Sequence, residues 1–172
     1  MKQALYRLDQ FRRAYTDAPT KKGLDLAQSV LSPQLFELFS RLQPFEQAHA
    51  IRVLEGLIIQ GFNDPDLLAA ALLHDVGKAR HPLRPMERAV AVLARKLLPK
   101  KCNFWGQGEA TGIKAGIVVK ACHAAWGAEM AARAGGNKRL VWLIAHHDTD
   151  LAKLEGPDRV LLSTLQAVDS AN

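Results

Sequence analysis

The stretch from residue 69 to residue 78, Ala-Ala-Ala-Leu-Leu-His-Asp-Val-Gly-Lys, constrains this chain more than any other. It begins as an apolar run typical of a buried helix and ends in an imidazole, a carboxylate and an ammonium group (His74, Asp75 and Lys78). Burying such groups without partners costs several kcal/mol. A metal ion would remove that cost, because imidazole nitrogen and carboxylate oxygen are ligands for zinc, iron, manganese and nickel. The stretch therefore predicts a buried helix that ends at a metal site.

Lys78 follows His74 by four residues and Asp75 by three. On a continuing helix these spacings place the three side chains on one face. A cation beside a metal ion suits an anionic substrate such as a phosphate, so Lys78 is a candidate for binding a phosphate oxygen. The alternative is a solvated lysine at the end of a helix.

The spacing of apolar residues and the helix-start signals predict an all-α fold, a single compact bundle of about seven helices. Ser32-Pro33 and Asp64-Pro65 each combine a capping side chain with a proline for the first turn. No strand or hairpin pattern is present. Residues 16–23 are expected to form a turn and residues 99–112 a loop. The predicted helices of the bundle cover residues 33–42, 44–61, 65–78, 86–98, 115–134, 138–147 and 157–169.

A chain of 172 residues is long enough to bury one hydrophobic core, and we expect a single domain over residues 1–172. Residues 1–42, with an amphipathic helix over 4–15, are predicted to form a helical extension that packs on the core, residues 43–172. The hydrophobic content of 48% is that of an ordinary soluble protein. No apolar run reaches the roughly 20 residues that span a bilayer, so no membrane contact is expected.

Composition also bears on location and partners. The amino terminus has no long apolar stretch typical of a secretory signal, and the two cysteines, Cys102 and Cys122, are expected to be reduced thiols of a cytoplasmic protein. The net charge of +6 suits an anionic partner. Because the basic residues are scattered and not interleaved with aromatic ones, a phosphorylated small molecule is favoured over nucleic acid. The oligomeric state does not follow from the sequence.

Further histidines and an aspartate complete a pattern around His74 and Asp75. A lone histidine on an apolar helix face is usually a core residue, but here an ordered series falls on separate predicted helices. Five of the six histidines take part. The series consists of His49, His74, Asp75, His123, His146, His147 and Asp169. Over about residues 45–172 it resembles that of the HD-domain superfamily of metal-dependent phosphohydrolases.

The resemblance implies a site for two divalent ions, of iron, manganese, zinc, nickel or magnesium. One ion would be held by His49, His74, Asp75 and Asp169. The second would be held by His123, His146 and His147, with Asp75 bridging the two. Paired ions about 3.5–4 Å apart activate a water molecule as nucleophile. The implied reaction is hydrolysis of a phosphoester or phosphoanhydride bond in a nucleotide or another phosphorylated small molecule, with Asp75 and Lys78 as catalytic residues.

Besides Lys78, three candidate residues have open alternatives. Neighbouring side chains on a helix point about 100° apart, so His146 and His147 reach one ion only if the helix ends or distorts there. Otherwise His147 is an exposed neighbour of one true ligand. Arg52, one turn after His49, and Trp126, one turn after His123, are candidates for lining a substrate pocket. Their alternatives are a surface cation and a core aromatic residue.

Two other functions fit the same residue types. Some HD-domain proteins use a di-iron centre to oxygenate small molecules, with nearly the same kinds of ligand. A non-catalytic module that binds a metal ion or a nucleotide for regulation is the other alternative. The sequence lacks the Gly-Tyr-Pro element that cyclic-di-GMP phosphodiesterases of the superfamily carry after their His-His pair, which disfavours that activity.

Overall fold

The computed structural model describes residues 17–172, apart from the side chains of Pro85, Lys100 and Asn103. The helix predicted over residues 4–15 lies outside the described residues. Within the described part the chain is all-α, as predicted, with short 3₁₀ helices at Val76–Arg80, Gly112–Lys114 and Leu151–Lys153 and no strand. The α-helices are α1 (Lys21–Val30), α2 (Pro33–Phe39), α3 (Pro44–Ile59), α4 (Pro65–Leu73), α5 (Pro85–Leu97), α6 (Pro99–Trp105), α7 (Ala115–Arg133), α8 (Lys138–His146) and α9 (Arg159–Ala171).

Side chains next to the helix starts explain where several helices begin. The Ser32 hydroxyl accepts a hydrogen bond from the Leu35 amide at α2, and the Asp64 carboxylate accepts from the amides of Asp66 and Leu67 at α4. The Asn137 side chain caps α8 in the same way. Such caps satisfy amides that have no partner within the helix. Because these signals are local, the starts of α2 and α4 lie where the sequence predicts them.

Two segments expected to be irregular contain helices. Residues 99–105 form α6 rather than a loop, with Pro99 in the first turn and Cys102 buried against Ala91 and Ile117. A helix of seven residues is too short to show a clear apolar period. The turn expected over residues 16–23 ends earlier, because the Thr20 hydroxyl caps α1 by accepting from the Gly23 amide.

The central helix also ends before the predicted residue 78. The α-helix stops at Leu73, His74 is its C-cap, and a 3₁₀ helix continues over Val76–Arg80. The last helix begins at Arg159, two residues after the predicted start at Pro157. The change from α to 3₁₀ at His74 redirects the chain at the point where the ionisable side chains begin.

A large hydrophobic core joins most of the helices. It contains fully buried residues such as Phe39 of α2, Leu54 of α3, Leu72 of α4 and Leu143 of α8. Residues of α1 and α2 share this core, while the division into a domain core and an N-terminal extension stays a prediction. None of the helices between residues 17 and 172 combines the length and apolar character needed to cross a bilayer.

The 3₁₀ helix after α4 packs directly on α7 at a glycine. A Cβ atom at Gly77 would lie 1.9 Å from the backbone oxygen of His123 and 2.7 Å from the amide nitrogen of Gly127. Both neighbours are backbone atoms, so no side-chain rotation could relieve the clash. The missing side chain therefore lets the segment with Asp75 and Lys78 lie against the helix that carries His123.

Gly77→Ala is expected to lower the free energy of unfolding by about 3 kcal/mol, because the added methyl group must push two backbones apart. Urea denaturation measures the change. Gly108→Ala is the matched control, since its Cβ would meet only the Trp105 oxygen at 3.4 Å, and should alter stability by no more than about 0.5 kcal/mol. Equal stability of the Gly77 variant and the wild type would contradict the close packing described here.

Candidate metal centre

Side chains from α3, α7, α9 and the C-terminal ends of α4 and α8 meet at one place. His49 lies within α3, His74 and His147 are the C-caps of α4 and α8, and Asp75 follows His74 directly. His123 lies in α7 and Asp169 in the last turns of α9. Their ligand atoms form two groups, in each of which the atoms lie within 4.8 Å of one another. The first group is His49, His74 and Asp169, and the second is Asp75, His123 and His147.

The first group lies at the edge of the molecule. The Nε2 atom of His49 is 2.8 Å from Oδ1 of Asp169, and Nε2 of His74 is 3.4 Å from the same oxygen. The side chain of Asp169 is 33% exposed and that of His49 is 24% exposed. An incoming small molecule can therefore reach this group from solvent.

The second group is buried and adjoins the first through Asp75. Oδ1 of Asp75 lies 3.4 Å from Nε2 of His123 and 3.8 Å from Nε2 of His147. Its other oxygen, Oδ2, lies 3.5 Å from Nε2 of His74 in the first group. The two oxygens of Asp75 thus face different groups, an arrangement that suits a ligand shared between two ions.

Backbone carbonyls fix the orientation of the three buried histidines. Nδ1 of His74 lies 3.0 Å from the Ala71 oxygen, Nδ1 of His123 lies 3.0 Å from the Lys120 oxygen, and Nδ1 of His147 lies 2.8 Å from the Ile144 oxygen. A carbonyl only accepts hydrogen bonds, so Nδ1 is the donor in each ring. In the neutral ring Nε2 then carries the lone pair, the arrangement typical of histidines that bind metal ions.

The inward-facing atoms of these rings lack hydrogen-bond donors. Nε2 of His123 lies 3.1 Å from Nε2 of His147, and Nε2 of His74 is buried without a hydrogen bond. Lone pairs and carboxylate oxygens that face one another away from water are unfavourable unless something positive lies between them. A divalent cation satisfies all of these atoms together, so the donor set fits a metal ion.

The pKa values of His74, Asp75 and Asp169 are shifted by the charges that the centre brings together. Burial favours the neutral form of His74, but the charges of Asp75 and Asp169 raise its pKa to about 10. Burial favours the neutral form of Asp75 as well, yet the positive charges of Lys78 and His74 hold its pKa well below the ordinary value. The pKa of Asp169 is lowered against the effect of burial by its hydrogen bond with His49 and by the nearby His74 ring. The centre therefore favours a cation at its middle.

The adjacent histidines His146 and His147 have different surroundings. The α-helix ends at His146, and the following His147 is buried in the second group. The His146 ring instead stacks on Trp142, with ring centroids 4.6 Å apart, and its Nδ1 donates to the Trp142 oxygen at 2.8 Å. His146, which the sequence pattern placed among the ligands, thus lies outside both groups. The angle of about 100° between neighbouring helical side chains explains the separation.

Of the other candidate residues, only Lys78 contacts the centre. Its ammonium group forms an ion pair with Oδ2 of Asp75. Nη1 of Arg52 lies 3.0 Å from Oδ2 of Asp17, so its charge is already paired. The Trp126 ring lies beneath the guanidinium group of Arg80, 5.1 Å from the ring centroid.

The sequence interpretation missed Asp148 and Lys120 as neighbours of the second group. Oδ2 of Asp148 lies 4.0 Å from Nε2 of His123 and 3.3 Å from Nζ of Lys120. The available signal for Asp148 was a carboxylate directly after the candidate ligand His147, while Lys120 offers none beyond its place one turn before His123.

Comparison with known protein families gives one match. The model of the HD domain matches residues 48–169, a range that contains both groups of ligand atoms. Neither the curated proteins nor the solved structures contain a match to the chain. Since the family model covers well over half of the sequence, and since buried His and Asp groups suited to a divalent metal lie within it, this protein belongs to the HD domain family.

Proposed function

We propose that this protein hydrolyses a phosphoester or phosphoanhydride bond in a nucleotide or another phosphorylated small molecule, using two divalent metal ions. The HD domain is typical of a superfamily of metal-dependent hydrolases. The observation that carries the proposal is the convergence of three buried imidazoles on Asp75, each with its Nδ1 on a backbone carbonyl. Imidazole nitrogens and carboxylate oxygens that face one another in this way suit a divalent cation as their common partner.

The ligand groups divide between the two ions. His49, His74 and Asp169 would hold one ion, and Asp75, His123 and His147 would hold the other. The Asp75 carboxylate would serve both, because its two oxygens face different groups. His146 is not needed in this assignment. Mixed nitrogen and oxygen donors suit iron, manganese, zinc or nickel.

Bound divalent ions supply two effects in phosphate hydrolysis, a lowered pKa of water and neutralisation of charge on the phosphoryl group. The protein side chains then have to admit and orient the substrate. Lys78 is suited to this role, because an ammonium group has three N–H donors and its side chain remains 26% exposed. One donor binds Asp75 while the others are free to hold a phosphate oxygen.

The activity itself can be tested with purified protein stripped of metal by a chelator and reloaded with manganese, iron or zinc. We expect metal-dependent cleavage of bis(p-nitrophenyl) phosphate or of members of a nucleotide panel that includes cyclic dinucleotides. Oxygen uptake by the iron-loaded protein, without phosphate-ester cleavage with any metal, would instead support the di-iron oxygenase. Metal binding without either reaction would support a regulatory module.

His147→Ala and His146→Ala form a matched pair for testing the ligand assignment. Removing His147 deletes a donor of the second group, and metal affinity there should fall by more than about 100-fold, so that the variant retains fewer ions per chain. Removing His146 should leave the metal content unchanged, since its ring contacts Trp142. Elemental analysis by mass spectrometry measures the content, with circular dichroism as a check on folding. Equal metal content in the two variants would refute the assignment.

Lys78→Met should lower kcat/KM by about 10- to 100-fold, the effect of losing a hydrogen bond from a charged donor to the substrate. Its metal content should stay at the wild-type level, since Lys78 contacts Asp75 without belonging to either ligand group. Arg80→Met is the control, because Arg80 lies on the same 3₁₀ helix but pairs with Glu129. An unchanged kcat/KM in the Lys78 variant would show that Lys78 does not bind the substrate.

A further inference from the structure

A cavity of about 390 Å³ lies beside the second group of ligands. Its polar lining includes Arg95 of α5, Lys120 of α7 and Asp148, and its apolar lining includes Pro99, Ile117 and Ala121. Helices α5, α6 and α7 therefore all contribute walls. Small-molecule sites commonly have volumes of about 300–1,000 Å³, so the cavity has the size of a site for a small ligand. Its lining is divided between polar and apolar groups, which suits a ligand with a charged part and an apolar part.

Asp148 connects this cavity to the candidate metal centre. Its Oδ2 atom lies 4.0 Å from Nε2 of His123, so one side chain separates the cavity from the ligand atoms. Lys120 lies one turn before His123 on α7, and its backbone oxygen accepts the hydrogen bond from Nδ1 of that histidine. A molecule in the cavity would therefore have one end next to the second group.

The charges around the cavity favour an anion. Lys120 pairs with Asp148 at 3.3 Å, but both side chains are well exposed, at 44% and 39%. Exposed ion pairs of this kind contribute only about 0–1 kcal/mol, so a phosphate can replace Asp148 as the partner of Lys120 at little cost. Arg95 is exposed and forms no ion pair within residues 17–172.

The other candidate cations are engaged elsewhere. Arg52, one turn after His49 on α3, has its guanidinium group 3.0 Å from the Asp17 carboxylate. Lys78 contacts Oδ2 of Asp75, the oxygen that faces His74 of the first group. Arg95 and Lys120 are the cations that line the cavity beside the second group.

We propose that this cavity binds a nucleoside phosphate, with Arg95 and Lys120 holding its phosphate groups and the apolar wall of Pro99, Ile117 and Ala121 contacting its base. The proposal rests on the function proposed above and adds to it the location and class of the substrate. Arg95 and Lys120 are assigned to binding, and neither is a ligand of the metal ions.

The test is isothermal titration of ADP and of inorganic pyrophosphate into manganese-loaded protein. ADP should bind more tightly than pyrophosphate, because only ADP has a base for the apolar wall. Arg95→Ala and Lys120→Met should each raise the Kd for ADP by about 10-fold or more, the effect of losing a charge-assisted hydrogen bond. Lys96→Ala is the control, since Lys96 is the next residue of α5 and does not line the cavity. Its Kd should stay within about twofold of the wild type, and manganese content should be equal in all four proteins.

Several results would overturn the proposal. These are an ADP affinity that is equal in the wild type and both cavity variants, a failure of the wild type to bind either probe at millimolar concentration, and a loss of manganese from the Lys120 variant. Equal affinity for ADP and pyrophosphate would show that the apolar wall does not contact the base. Cleavage of bis(p-nitrophenyl) phosphate by all variants, with unchanged ADP affinity, would refute the cavity and leave the hydrolase intact. ADP binding that depends on Arg95 and Lys120, without any hydrolysis, would support the cavity and refute the hydrolase.

Discussion

Hydrogen bonds from three imidazole rings to backbone carbonyls one turn away set the chemistry of this molecule. They leave the Nε2 atoms of His74, His123 and His147 facing inward, where two carboxylates already concentrate negative charge. In a buried space such atoms repel one another, and only a positive group stabilises them together. Metal binding in a centre of this kind is coupled to the stability of the fold, because the unfolded chain does not hold the ligands together.

The backbone around the centre places His74, Asp75 and His147 by ending or changing a helix. Helix α4 stops at Leu73, so that His74 and Asp75 leave the helical path and turn toward different groups. The absence of a side chain at Gly77 lets the following 3₁₀ helix contact α7 beside His123. Helix α8 stops at His146, which directs His147 inward and leaves its neighbour on Trp142. The second group therefore depends on two helix ends and one close contact between backbones.

Local signals in the sequence predict most of the helices. One helix that was not predicted, α6, depends on contacts between residues far apart in the sequence. The starts at Ser32-Pro33 and Asp64-Pro65 are encoded by neighbouring residues, and the structure contains both. Helix α6 escaped prediction because its buried residue, Cys102, is recognisable only from its contacts with Ala91 and Ile117. The all-α fold and the HD family were predicted correctly from the helical pattern and from the ordered histidines.

For the candidate site as well, the sequence predicted which residues take part better than it predicted their surroundings. The order of histidines and aspartates along the chain indicated which residues to bring together, whereas the surroundings of each depend on packing. The pairing of Arg52 with Asp17, residues far apart in the sequence, could not be foreseen from helical spacing. The contact of Trp126 with Arg80 could not be foreseen either. The same holds for the position of Lys120 and Asp148 beside His123. The roles of these residues in binding and catalysis stay predictions.

Anomalous X-ray scattering from crystals of the manganese-loaded protein tests the central claim most directly, because it locates each ion among its ligands. The account predicts two peaks, one among His49, His74 and Asp169 and one among Asp75, His123 and His147, with Nε2 of every histidine facing an ion. A single peak, a peak bound to His146, or an ion-free space between the two groups would contradict it.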